Sequence, residues 1–162
     1  MENDIQIKLK KSDKVIRIPI IDEDDNNTGE FLQFDVEDVQ TVLNLQECIE
    51  QHKKNMAYLK NQEVIINKKE DHKGKKLFSS NQESMAKAIQ EFYAREIKAM
   101  DLFIGEGKTE LILKLMKRRP YLSMFNDIEE LLKPIFPVIQ KGYEDYKKEI
   151  ESKYTKEVDI LE

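Results

Sequence analysis

A chain of 162 residues, with 27 Lys and Arg against 32 Asp and Glu and a formal net charge of −5, is long enough to bury a core without disulfide or metal staples. Charged residues make up 36% and hydrophobic residues 40%, with 5 Gly, 4 Pro and no Trp, which excludes a loop-rich β-sandwich and favours long amphipathic helices. The acidic balance, with Arg17, Arg95, Arg118 and Arg119 the only arginines, speaks against a nucleic-acid partner.

Residues 1–36 read as strands. Ile5, Ile7 and Leu9 alternate with Gln6, Lys8 and Lys10, the period-two mark of a half-buried strand. Ser12-Asp13 makes a turn, and Val15-Ile16-Arg17-Ile18-Pro19-Ile20 returns, with Pro19 confining that end to an edge. An Asn/Asp-rich loop over 22–29 leads to Phe31-Leu32-Gln33-Phe34-Asp35-Val36. An antiparallel sheet of two or three strands cannot stand alone and must pack on helices.

From Asp35 the period changes. Asp35 or Asp38 caps a helix in which Val39, Val42, Leu43, Leu45, Ile49, Met56 and Leu59 recur at helical spacing to about Gln62. Val64-Ile65-Ile66 extends it or docks the following loop. The lone Cys48 excludes an intramolecular disulfide and reads as a small buried hydrophobe in a reducing cytoplasm. Residues 67–80 carry Lys68, Lys69, Glu70, Asp71, His72, Lys73, Gly74, Lys75 and Lys76, and read as a mobile, solvated connection, with contact between the basic run and something acidic as the alternative.

Ser80 or Asn81 caps the next helix, with Glu83 at capping-box spacing from Ser80. Met85, Ile89, Phe92, Ile97, Met100 and Phe103 give it a broad apolar face, and Gly105-Glu106-Gly107 stops it. Leu111, Ile112, Leu115 and Met116 form a short helix whose end, at Lys114, Lys117, Arg118 and Arg119, complements the macrodipole before Pro120. A further helix takes Leu122, Phe125, Ile128, Leu131, Leu132, Ile135 and Phe136, with a break expected at Pro134 and Pro137.

The last segment differs in kind. From Gly142 onward a narrow stripe of Tyr143, Tyr146, Ile150, Tyr154, Val158 and Leu161 repeats at three- and four-residue steps among charged residues. So thin a stripe suits a terminal helix packed on its own domain, or one that projects until a partner covers it. These six residues are the candidate partner-binding set.

The expected fold is α+β, mostly α. A small N-terminal antiparallel β element (1–36) packs on a helical domain of four to five helices (37–140), followed by a long amphipathic C-terminal helix (141–162). No apolar stretch approaches the roughly 20 residues that span a bilayer, and Met1-Glu2-Asn3-Asp4 is no signal-peptide start, so a cytoplasmic protein without a membrane partner is expected.

No catalytic, cofactor-binding or metal-binding residues are assigned. Gly107-Lys108-Thr109 mimics a phosphate loop, but Leu102 stands where the first glycine belongs and a helix leads in instead of a strand. Asp22, Asp24 and Asn26 mimic a calcium loop, but Asn27 replaces the turning glycine and Gln33 the bidentate glutamate. His52 and His72 lie in unrelated places, without metal-ligand spacing or a nucleophile to serve. A non-enzymatic role follows as the expectation.

Met100-Asp101-Leu102-Phe103-Ile104-Gly105-Glu106-Gly107, followed by Thr109-Glu110-Leu111-Ile112 and Lys117-Arg118-Arg119-Pro120, resembles small tail assembly chaperones of long-tailed phages and prophages of Gram-positive bacteria. The resemblance is densest over 83–140 and architectural elsewhere. Lys114-Leu115-Met116-Lys117-Arg118-Arg119 replaces the family's compact glycine-containing link, and the tail beyond Tyr143 is longer. The resemblance implies a protein that binds the tape measure protein and keeps its long hydrophobic helices soluble until tail-tube subunits surround them. It also implies a frameshifted, extended companion form and absence from the finished virion. The alternative is a generic acidic helical adaptor or regulator, acting through protein contacts or as a homo-oligomer.

Overall fold

The computed structural model describes residues 6–9 and 14–161, with side chains described as far as residue 155. Strands β1 (Val15–Ile21) and β2 (Asn27–Asp35) form an antiparallel hairpin. Its turn is built by Asp22, whose carboxylate accepts the amides of Asp24 and Asn26 at 3.0 and 2.9 Å, while Asp25 takes a φ of 60°. Leu32 and Phe34 point into the core, with Ile16, Ile18 and Ile20 beside them.

The ladder fixes which backbone groups remain outside it. The Val36 amide donates to the Lys14 carbonyl and Ile16 pairs with Phe34, so even-numbered residues of β1 bond to β2 and odd-numbered ones face away. Pro19 falls in the outward set, where its missing N–H costs the ladder nothing. On the far side, two outward carbonyls of β2 are engaged: Phe31 by Lys108 Nζ at 3.3 Å and Asp35 by Thr41 Oγ1 at 2.8 Å.

The expected strand through Ile7 and Leu9 does not form over residues 6–9, and these side chains are 84% and 88% exposed. Ile5 and the Ser12-Asp13 turn lie outside the described residues. The alternation is real, but no ladder partner engages it.

Helix α1 (Val39–Asn67) starts at Asp38, whose side chain caps the Gln40 amide, and continues past Gln62. Its continuation buries Ile66 while leaving Val64 and Ile65 about half exposed. Helix α2 (Ser80–Ile104) returns antiparallel along α1. Its cap is Ser79, one residue before the expected Ser80, and the capping box pairs Ser79 with Gln82 rather than with Glu83. Ser80 is diverted because its hydroxyl accepts the His72 amide at 3.0 Å.

The connection over 67–80, expected as mobile, is held by side chain to backbone bonds. Asp71 accepts the Asn81 amide and the Ser80 hydroxyl, and the Asn81 side chain donates to the Lys69 carbonyl. The Asn81 amide first, with help from the Ser79 and Ser80 hydroxyls, holds the Asp71 carboxyl below the usual range.

Gly105 ends α2 at a φ of 110°, and Gly107 opens α3 (Lys108–Leu115) at a φ of 78°. Helix α3 closes in a Schellman motif: Arg118 donates to the Leu113 carbonyl and Lys117 to that of Lys114, with Lys117 at a φ of 56°. Helix α4 (Met124–Leu132) and α5 (Phe136–Leu161) are joined by a 3-10 turn over Lys133–Ile135. The expected break is therefore realised as a change of helix, with Pro134 in the 3-10 turn and Pro137 in the first turn of α5, where a missing amide is tolerated. From there α5 runs unbroken across position 141, where the sequence suggests a separate tail.

The core gathers at the base of the α1–α2 hairpin. Phe103 meets Phe34 at 4.9 Å and Phe136 at 6.1 Å between ring centroids, over the buried Met100, Phe125 and Ile128. Past the His52 stack on Phe125 and the buried Asn55, α1 continues for twelve more residues to Asn67, about 18 Å at the helical rise.

Candidate partner-binding surface

The buried contacts of helix α5 lie near its start. Ile139 is 2% exposed, Phe136 packs on the core, and Gly142 lies against the chain leaving β2. A Cβ at Gly142 would sit 2.7 Å from the Val36 carbonyl oxygen and 2.8 Å from Val36 Cβ, so this is a crossing that only glycine permits. A cleft of about 420 Å³ opens beside it, between Ile16 and Val36 on one side and Val138 and Tyr146 on the other. Lys14, Lys141, Asp145 and Glu149 form its rim.

Past this crossing α5 still borders the cleft through Tyr146 and Glu149, and its stripe is most open at Tyr154. Of the six stripe residues, Tyr146 is half-buried at the cleft, whereas Tyr143 and Ile150 are each 37% exposed and Tyr154 is 61% exposed. The side chains of Val158 and Leu161 lie outside the described residues. The stripe covers eighteen residues in five steps, or 3.6 residues per step, the period of a straight α-helix. A left-handed coiled coil would need 3.5. Among the described side chains, Tyr143, Tyr146, Ile150 and Tyr154 recur along one face of α5.

The Gly105-Glu106-Gly107 turn is closed by a residue the sequence reading did not single out. Asp101, on the last turn of α2, accepts the Gly107 amide at 3.1 Å and the Thr109 amide at 3.0 Å, so one carboxylate fills the start of α3. The carboxylate thus satisfies backbone donors that would otherwise be unpaired at the start of α3. The distance from Asp101 to its two partners exceeds the usual capping spacing, so no local pattern announces it.

A second polar constellation was equally hidden. His52 and Asn55 on α1 converge on Glu96 of α2, with Nδ1 to Oε2 at 2.6 Å and Nδ2 to Oε1 at 2.8 Å. Glu96 is 2% exposed, and the His52 ring stacks on Phe125 with centroids 3.9 Å apart and planes 2° from parallel. This cluster ties α1, α2 and α4 together with both carboxylate oxygens satisfied. One turn away, burial pushes the Cys48 thiol up to about 12, reinforced by the charges of Glu96 and Glu129. A thiol so placed is a packing group, not a nucleophile.

Among the described residues no group of three or more His, Cys, Asp or Glu is placed to hold a metal ion, and no helix is long and apolar enough to cross a membrane. Comparison with known proteins finds no matching family, no similar curated protein and no similar solved structure.

Proposed function

We propose that this protein works by holding another protein, and that its specific role is that of a phage or prophage tail assembly chaperone which keeps the tape measure protein soluble during tail assembly. The observation that carries the reading is the α5 stripe: Tyr143, Ile150 and Tyr154 are exposed on a helix whose buried contacts, at Phe136, Ile139 and Gly142, lie near its start. An apolar helical face on an acidic protein suits a long helical client, covering its apolar face while net charge keeps the complex dispersed. The resemblance around the Gly105-Glu106-Gly107 turn supplies the choice of client.

Co-expression with a tape measure protein or other long helical client encoded beside this chain provides the test. The client remains soluble and co-purifies with the full chain, and it precipitates when the chain is absent or lacks residues 143–162. A client equally soluble and full-length on its own refutes the chaperone role.

A second reading, an adaptor or regulator that self-associates through the same stripe, rests on the same exposure. It requires that removing 143–162 lower the mass seen by light scattering while the circular dichroism of the remaining helices is kept. Unchanged mass counts against it.

A further inference from the structure

The distal tip of the α1–α2 hairpin concentrates two properties that folding does not use. Leu77 is 80% exposed and Phe78 57% exposed, side by side in the loop. Around them lie Lys68, Lys69, Lys73, Lys75 and Lys76, against only Glu70 and Asp71, so residues 67–78 carry a net +3 on a chain whose total is −5. The rest of the molecule therefore carries −8. This is a strong segregation of charge, placed about 18 Å beyond Asn55 at the end furthest from the core.

The loop's own bonding sharpens the point. Asp71 faces the backbone, accepting the Asn81 amide, and Lys69 gives its carbonyl to Asn81, so the chain is pinned while its apolar pair is left outside. Lys76 reaches Glu83 at 3.7 Å, but Lys68, Lys69, Lys73 and Lys75 have no ion-pair partner among the described residues. A pinned loop that exposes adjacent Leu and Phe amid unpaired lysines has two complementary contacts to offer: apolar insertion, and attraction to negative charge.

We propose that the hairpin tip is a peripheral docking element for an anionic phospholipid surface, with Leu77 and Phe78 entering the headgroup and acyl boundary and the lysines lying on the phosphates. Three features favour a bilayer over the alternatives. A single convex loop cannot supply the roughly 800 Å² per partner of a stable protein interface, whereas a bilayer requires no matching pocket. The tip holds no arginine, the residue that most often reads nucleic-acid bases. Lysine stems beside a Leu-Phe pair also suit an interface that is wet on one side and apolar on the other. The sequence expectation of no membrane partner rested on the lack of a spanning segment, which does not bear on surface docking. The proposal is independent of the client-holding role of α5.

The test is co-sedimentation of the full chain with extruded vesicles of phosphatidylcholine alone or doped with phosphatidylglycerol. Binding is expected only to the doped vesicles and should fall steeply as salt is raised. Leu77→Ser with Phe78→Ser, and separately Lys73→Gln with Lys75→Gln and Lys76→Gln, should each weaken it about tenfold or more. Circular dichroism confirms that each variant keeps its helices, as the exposure of these side chains implies. The proposal is overturned if the doped vesicles bind no more protein than neutral ones at low salt. It is also overturned if the Leu77/Phe78 variant binds as well as the parent, since that outcome assigns the tip to any acidic polymer, protein or nucleic acid.

Discussion

Two forces of opposite sign meet at Gly142. In the middle of a helix, replacing glycine by alanine normally stabilises by about 0.5–1 kcal/mol through backbone entropy. At this site the new Cβ would lie 2.7 Å from the Val36 carbonyl oxygen and 2.8 Å from Val36 Cβ, and Val36 is 7% exposed and cannot swing away. Forcing a methyl into a closed contact costs about 1–3 kcal/mol, so Gly142→Ala should come out net destabilising by about 1–2 kcal/mol. For a chain of this size that is a drop of roughly 3–6 °C in the melting midpoint. Thermal unfolding followed at 222 nm measures it. A midpoint equal to or above the parent's would mean that α5 does not cross Val36 as closely as described, and the anchoring of the whole C-terminal helix would have to be redrawn.

Three further outcomes are expected. Glu96→Ala strands His52 and Asn55 and opens a cavity between α1 and α2, costing about 2–4 kcal/mol in chemical denaturation, whereas Glu91→Ala, removing an exposed pair with Arg95, costs under about 0.5. Asp101→Ala frees the Gly107 and Thr109 amides and should lower stability by about 1–2 kcal/mol, with amide exchange rising first at the start of α3; uniform exchange would contradict the cap. Cys48, whose thiol is pushed up to about 12, should resist iodoacetamide at pH 8 in the folded protein and react once it is unfolded. Between its ordinary value of 9.0 and about 12 the unfolded chain has released a proton that the folded chain keeps, so stability falls as pH rises through that window, by up to about 1.4 kcal/mol per pH unit. A Cys48→Ala variant losing stability just as steeply would refute this.

Patterns that act along the chain were legible, and contacts that act across it were not. The helical spacing of Val42, Leu45 and Ile49, the glycine stop at Gly105 and the proline break near Pro134 each reflect a local rule, and the corresponding elements are present. The cap of α2 shifted from Ser80 to Ser79 because a partner eight residues away, His72, claimed the Ser80 hydroxyl. Alternation at Ile7 and Leu9 signalled a strand, yet strands depend on a paired neighbour that periodicity cannot report. Glu96 carries no local sign of its burial, since its partners His52 and Asn55 sit on another helix. Gly142 marked the start of the stripe in the sequence, whereas in the fold it is the point of closest approach between α5 and Val36. The stripe itself was readable; its anchoring at Ile139 and its exposure at Tyr154 required the packing of the whole base.

Pro19 has a consequence beyond the hairpin it belongs to. A two-stranded ribbon has two rims along which a foreign strand could add, and an open rim is a route to aggregation. On one rim, Lys108 and Thr41 already take the Phe31 and Asp35 carbonyls. On the other, an incoming strand would bond at Val15 and Arg17 and then find no donor at Pro19, with the register also shifting between Pro19 and Ile21. Growth of a continuous cross-strand stack is thereby interrupted after about two residues on that side. On the β1 side, the hairpin lends its apolar face to the core without offering a continuous edge to a foreign strand.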